Sequence, residues 1–254
     1  MIDPRCPVAP SRPSRLPRLL TIAAVTVTVT AAGAIPACVG GVDGNGQRST
    51  ELRPLGRFSR IDSAGSLDVR VDQGAVPAAT VSIDSNLQHL VVTRLAGETL
   101  VIDVEGAIGD TLPGPQVTVT MPVLERARLS GSGRLTTSTF QQAATVVLDL
   151  AGSGAIAFEG TAPRVEGQLG GSGELRVTGA ATSVDLTLDG SGAIDTVGCN
   201  ATDTVVSLVG SGQVATTATG SARVQLSGSG EVDLYGGATI TSLSITGSGD
   251  LHVH

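Results

Sequence analysis

The chain has 254 residues and a net charge of −7, and all sixteen of its basic residues are Arg. The absence of Lys excludes Schiff-base chemistry and a Walker-type phosphate lysine, and the acidic balance argues against a nucleic-acid partner, which needs a basic footprint. Aromatic residues make up only 2% and Gly contributes 34 residues, so a core here is packed from small aliphatic side chains rather than rings.

Arg5, Arg12, Arg15 and Arg18 precede an uncharged apolar run from Leu19 to Ala37. A basic segment followed by an apolar one reads as an export signal over residues 1–37. The run closes on Ile35-Pro36-Ala37-Cys38, which resembles a bacterial lipoprotein cleavage box with Cys38 as the lipidated residue and the membrane as a partner. Pro36 departs from the small or aliphatic residue usual there, so cleavage at another place stays open. An uncleaved anchor is the third reading, although Thr21, Thr26, Thr28 and Thr30 make the run a mediocre membrane span. Cys6 leaves with the signal and Cys199 stands alone, so no disulfide framework follows; Cys199 reads as a small filler on a turn. Residues 38–56, with Val39-Gly-Gly-Val-Asp-Gly-Asn-Gly-Gln47, read as a Gly-rich tether.

From Phe58 the pattern becomes that of strands. Ser66 to Val71 alternates after Gly65, Thr80-Val-Ser-Ile83 follows, and His89 is expected in a loop around Asp84–Leu90. Val91–Leu95 and Leu100–Val104 read as a hairpin around Ala96-Gly97-Glu98. Gln116–Met121 is a further strand, fed through Leu124 toward Leu129. The stretch as a whole is expected to supply first coils and an atypical N-terminal cap, which a solenoid needs at its ends.

The second half is repetitive. Gly-Ser-Gly recurs seven times, opening at Gly131, Gly152, Gly171, Gly190, Gly210, Gly228 and Gly247 and closing at Gly133, Gly154, Gly173, Gly192, Gly212, Gly230 and Gly249. Leu129, Leu150, Leu169, Leu188, Leu208, Leu226 and Ile245 stand two residues before each triplet. Leu135, Ile156, Leu175, Ile194, Val214, Val232 and Leu251 stand two residues after it. A period near 20 with period-2 aliphatics predicts an all-β solenoid, a parallel β-helix of 19–20-residue coils turning at Gly-Ser-Gly, with second breaks near Gly160, Gly179, Gly198 and Gly236. Both glycines of a triplet are expected to serve backbone geometry and close approach of neighbouring coils. The Ser column, Ser132 to Ser248, is expected to form a hydrogen-bonded ladder rather than a row of nucleophiles, since no base recurs beside it.

These residues resemble the GIN domain, the head domain of a family of bacterial adhesin-like proteins. The resemblance is carried by residues 57–74 (RFSRIDSAGSLDVRVDQG), 82–90 (SIDSNLQHL), 121–133 (MPVLERARLSGSG) and the repeated L-x-GSG-x-L units. It covers residues 57–254 and implies a right-handed parallel β-helix, export, often as a lipoprotein, and no catalytic residues to carry over. Its adhesin label is a fold-level analogy.

In register, the outward positions after each turn are Arg134, Ala155, Glu174, Ala193, Gln213, Glu231 and Asp250, then Thr136, Ala157, Arg176, Asp195, Ala215, Asp233 and His252. Glu231, Asp233, Asp250 and His252, with His254 beside them, are the one dense ionisable cluster, read either as a divalent-ion site or as charges that blunt the terminal edge. Asp185 and Asp189 are too far apart along a strand, roughly 13 Å, for a glycosidase pair. The preferred function is a non-catalytic envelope-anchored or secreted surface module that calls for no cofactor and takes a glycan or surface protein as ligand. The alternatives are a carbohydrate-active enzyme of the pectate-lyase type and a structural assembly component that self-associates through the edge of the C-terminal coil.

Overall fold

A computed structural model describes residues 40–254. The expected export signal and Cys38 lie outside the described residues. In chain order the strands are β1 (Arg48–Pro54), β2 (Arg60–Gly65), β3 (Asp68–Gln73), β4 (Ala78–Asp84), β5 (Val91–Ala96), β6 (Thr99–Val104), β7 (Gln116–Met121), β8 (Arg126–Gly131), β9 (Arg134–Gln141), β10 (Val146–Gly152), β11 (Ala155–Gly171), β12 (Glu174–Gly190), β13 (Ala193–Gly210), β14 (Gln213–Gly228), β15 (Glu231–Tyr235), β16 (Thr239–Gly247) and β17 (Asp250–Val253). One 3₁₀ helix, Ser85–Leu90, sits between β4 and β5.

From β8 onward every coil lies parallel on the one before it. Leu129, Leu150, Leu169, Leu188, Leu208, Leu226 and Ile245 are successive register partners in the arm entering each Gly-Ser-Gly corner. Leu135, Ile156, Leu175, Ile194, Val214, Val232 and Leu251 are partners in the arm leaving it. Alternate side chains of both arms point inward and meet between the two faces, which makes each apolar position a column buried by its own copies. From β11 to β14 each strand runs on through the second bend, with Gly160 opposite Gly179 and Gly179 opposite Cys199. The strand ends expected at Gly160, Gly179 and Gly198 are therefore bends inside longer strands. A neighbour on each side supplies hydrogen bonds through the turn, and the irregularity is absorbed as register shifts near Arg176–Gly179 and Thr196–Ala201.

The two glycines of a corner do different work. The first takes a left-handed backbone, as Gly152 does with φ +125. A Cβ there would also lie 2.5 Å from the carbonyl oxygen of Gly131 on the neighbouring coil. The second glycine has ordinary φ; a Cβ on Gly154 would lie 2.6 Å from the Gly133 oxygen and 3.0 Å from the Leu129 side chain, so packing alone demands it.

Stack order departs from chain order at the N-terminal side. β2 lies against β8 and β3 against β9, with Gly65 opposite Gly131. Gly65-Ser66-Leu67 is thus a further corner, and Gly133 N–H donates to the Gly65 carbonyl at 3.0 Å. The chain then passes to the far side of this coil, where β6 pairs with β2 and β7 with β3, both parallel. Antiparallel strands close that end: β5 on β6, β4 on β7 and β1 on β4. The hairpin β5–β6 has the expected pairing, with Leu95 opposite Leu100. Leu87 of the 3₁₀ helix is fully buried beneath these strands.

Part of the expected tether belongs to this cap. Arg48–Pro54 pairs along its whole length with β4, and Arg48 and Arg53 donate to the carbonyls of Ser82 and Val91. Backbone and guanidinium partners offset the entropy that keeps a Gly-rich linker free.

Candidate ligand-binding surface

The corner edge carries the most regular polar feature of the molecule. The Ser residues of the triplets are exposed from Ser132 to Ser248. Their amides make the inter-coil ladder, as in Ser153 N–H to Gly131 O and Ser172 N–H to Gly152 O, both 3.0 Å. The ladder along this column runs through backbone amides. The amides satisfy the backbone, and among the described residues the column's hydroxyls stay free for solvent or a ligand. They repeat at the inter-strand spacing of ~4.8 Å.

Small residues beside this column leave a shallow groove of 420 Å³, lined by Arg134, Ser153, Ala155, Ser172, Glu174 and Ser191 among others. A second hollow of 220 Å³ continues toward the cap, lined by Asp68, Arg70, Gln116, Thr118, Arg134 and Thr136. Arg134 borders both. Its register neighbours are Asp68 and Ala155, and among the described residues its guanidinium joins no ion pair. The neighbouring arginines are engaged: Arg70 with Asp72 at 3.0 Å, and Arg176 with Glu174 at 3.4 Å and Asp195 at 3.2 Å. Arg134 is thus a free fork of donors at the junction of two hollows, suited to an anionic or polyhydroxyl group.

The four residues expected as a metal site are neighbours but do not converge. Glu231 is opposite Asp250 and Asp233 opposite His252. His252 Nε2 lies 3.1 Å from Glu231 Oε1, and His254 Nε2 lies 2.9 Å from Asp233 Oδ1. Tyr235 stacks on the His254 ring with centroids 4.4 Å apart. Each imidazole reaches diagonally back to one carboxylate, so the cluster resolves into pairs, and no group of three metal-ligating side chains occurs among the described residues. The charges sit on β15 and β17; β16, the other terminal strand, has none.

Two further groups are structural. Burial pushes the Cys199 thiol up to about 11, which leaves it protonated and inert. Asp185 is raised by burial against the opposing pull of Arg164, with which it forms an ion pair. Thr196, Thr204 and Thr216 occupy inward positions and satisfy one another, Thr196 Oγ to Thr216 Oγ at 2.8 Å.

Sequence reading missed that Arg134 lies beside Asp68, 66 residues upstream. The signal was present: Ala64-Gly-Ser-Leu-Asp-Val69 lines up with Ser130-Gly-Ser-Gly-Arg-Leu135. Leu67 in place of the second glycine hides the match from a search for the triplet.

Fold and surface define a parallel β-solenoid with a polar corner groove. The family model described as "Putative auto-transporter adhesin, head GIN domain" matches residues 57–238; the chain belongs to this family. A solved putative adhesin from Bacteroides fragilis aligns at 20% identity over 84% of this chain and 100% of its own, with a TM-score of 0.77. A putative lipid binding protein from Parabacteroides distasonis aligns at 24% over 84% and 99%, TM-score 0.68. A putative adhesin from Parabacteroides merdae aligns at 22% over 85% and 99%, TM-score 0.66. These likenesses bear on the fold alone. No curated protein matches the chain.

Proposed function

We propose that the chain is a non-catalytic surface module, exported through residues 1–37, held at the membrane by lipid on Cys38, and binding an extended polar ligand along the corner of residues 57–254. The observation that carries this reading is the row of free Ser hydroxyls running past unpaired Arg134. A repeating array of donors and acceptors suits a repeating ligand, of which a glycan chain is the preferred class. The pectate-lyase reading is disfavoured by chemistry: the chain has no Lys, and one Tyr and three Phe offer little platform for stacking sugars.

Binding of the full chain to glycan and matrix-protein panels, with released sugars assayed in the same wells, tests the reading. Binding without products, weakened about tenfold in Arg134→Ala, is expected, a loss in the range of one charge-assisted hydrogen bond. Sugar release sinks the non-catalytic part. For the anchor, labelled palmitate is expected on the wild type and absent from Cys38→Ser.

A further inference from the structure

The two ends of the stack are built differently, and the C-terminal one leaves apolar side chains exposed. Ile240, Leu243, Ile245 and Val253 are 36%, 51%, 40% and 55% exposed, although the last three occupy inward positions one coil above Val224, Leu226 and Leu234, which are buried. β16 and β17 each pair on one side only, with β14 and with β15. The edge strand Thr239–Gly247 has no charge and no Pro, the usual devices against edge pairing.

We infer that this end docks onto the same end of a second copy of the chain, related by a dyad through Ser244 and His252. The amides of Ser248, Asp250 and His254 donate backward to Gly228, Gly230 and Leu234. Val147, five residues before its own corner as Ser242 is before Ser248's first glycine, donates backward to Glu125. Strand amides alternate sides, so Leu243, Ile245, Leu251 and Val253 direct their N–H and C=O groups outward, off the stack. Ser244 and His252 both stand four residues from Ser248, on opposite faces of the coil. One dyad through both therefore sets Leu243 against the partner's Ile245 and Leu251 against the partner's Val253. Every outward-directed amide and carbonyl of these four residues then meets its complement in an antiparallel, hydrogen-bonded pair, about eight backbone bonds in all. Inward side chains meet inward side chains, uncharged Ser and Thr meet each other along β16, and Asp250 stands opposite the partner's His254. The match comes from two faces at once and needs no register slip.

The occupant is a second copy rather than a growing filament because the other end offers no equivalent. β1 carries Arg48, Glu51, Arg53 and Pro54, and the antiparallel cap buries Leu87, so the tail-to-tail contact closes after two chains. A coil section of roughly 30 Å by 15 Å follows from strand rise and sheet spacing, an area on the order of 450 Å² per copy. That is below the ~800 Å² of a standard stable interface, so the pair is a weak, concentration-dependent dimer. This inference is independent of any ligand in the corner groove.

Disulfide trapping tests it. The dyad places Ser244 opposite its own copy in a non-hydrogen-bonded pair, with Cα atoms ~4.5 Å apart, within the range a disulfide spans. In the full chain carrying Cys6→Ser and Cys38→Ser, Ser244→Cys and, separately, His252→Cys are treated with diamide and run without reductant. Both are expected to form linked dimer at least tenfold faster than Gln225→Cys, an exposed position one coil below, and Leu243→Lys added to Ser244→Cys is expected to abolish the excess. If either dyad variant links no faster than Gln225→Cys, the tail-to-tail pairing is wrong.

Discussion

The N-terminal and C-terminal ends of the solenoid solve the same problem in opposite ways. A stack of parallel coils leaves an open core and an unpaired edge at each end. At the N-terminal end the chain turns antiparallel, lays β5 and β1 outermost, plugs the core with Leu87 and arms the edge with Arg48, Glu51, Arg53 and Pro54. At the C-terminal end no such cover occurs among the described residues, and the nine residues of β16 are all exposed. Regular repeats propagate burial but cannot finish it; a cap needs residues outside the repeat, which is why residues 74–125 look irregular beside the coils they close.

The sharpest contrast is between a coil in the middle of the stack and either end. Gly152→Ala is expected to cost about 3–5 kcal/mol, since strain at a left-handed backbone adds to the clash with the Gly131 carbonyl. Gly237→Ala, where φ is +75 but nothing lies within 4 Å, is expected to cost about 1 kcal/mol; urea unfolding of both variants gives the comparison. Leu87→Ala, at the plugged end, is expected to lose about 3 kcal/mol through transfer and cavity terms. Ile245→Ala, at the open end, is expected to lose about 1 kcal/mol or less at low protein concentration, because 40% of Ile245 is already in water. Equal losses in these two would abolish the distinction between the ends. The smallest effect concerns Asp185. Its raised pKa means that the folded chain holds this proton more tightly than the unfolded chain, so its contribution falls as pH rises from about the ordinary 3.8 upward. Asp185→Asn is expected to flatten that decline and to raise stability near neutral pH by less than about 1 kcal/mol, with Arg164 still held by Glu166 at 3.0 Å. Thermal unfolding at several pH values reads it.

Much of this was legible because the repeat is strict. Seven triplets with aliphatics two residues to either side determine the coil length, the corner and the register, and the outward rows predicted from Arg134 to Asp250 and from Thr136 to His252 are the rows of the structure. The site was less legible. A hydrogen-bonded ladder at the Ser column is legible in the repeat, but not which groups make it: parallel coils present their amides at the ladder spacing and leave the hydroxyls free. A list of outward residues admits either a metal site or edge charges at the last coils, and only side-chain rotamers pair His252 with Glu231 and His254 with Asp233.

By itself the sequence determined the solenoid and its pitch, since periodic Gly and alternating aliphatics admit one way of burying every copy at once. Only the tertiary structure decided that Gly65 caps onto Gly131, that Arg48–Pro54 is a strand rather than a linker, and that one end is closed while the other is open. Those outcomes depend on contacts between segments 24 to 66 residues apart, whose pairing the strict Gly-Ser-Gly period does not specify. Local periodicity carries no information about which of two free edges such a segment will cover.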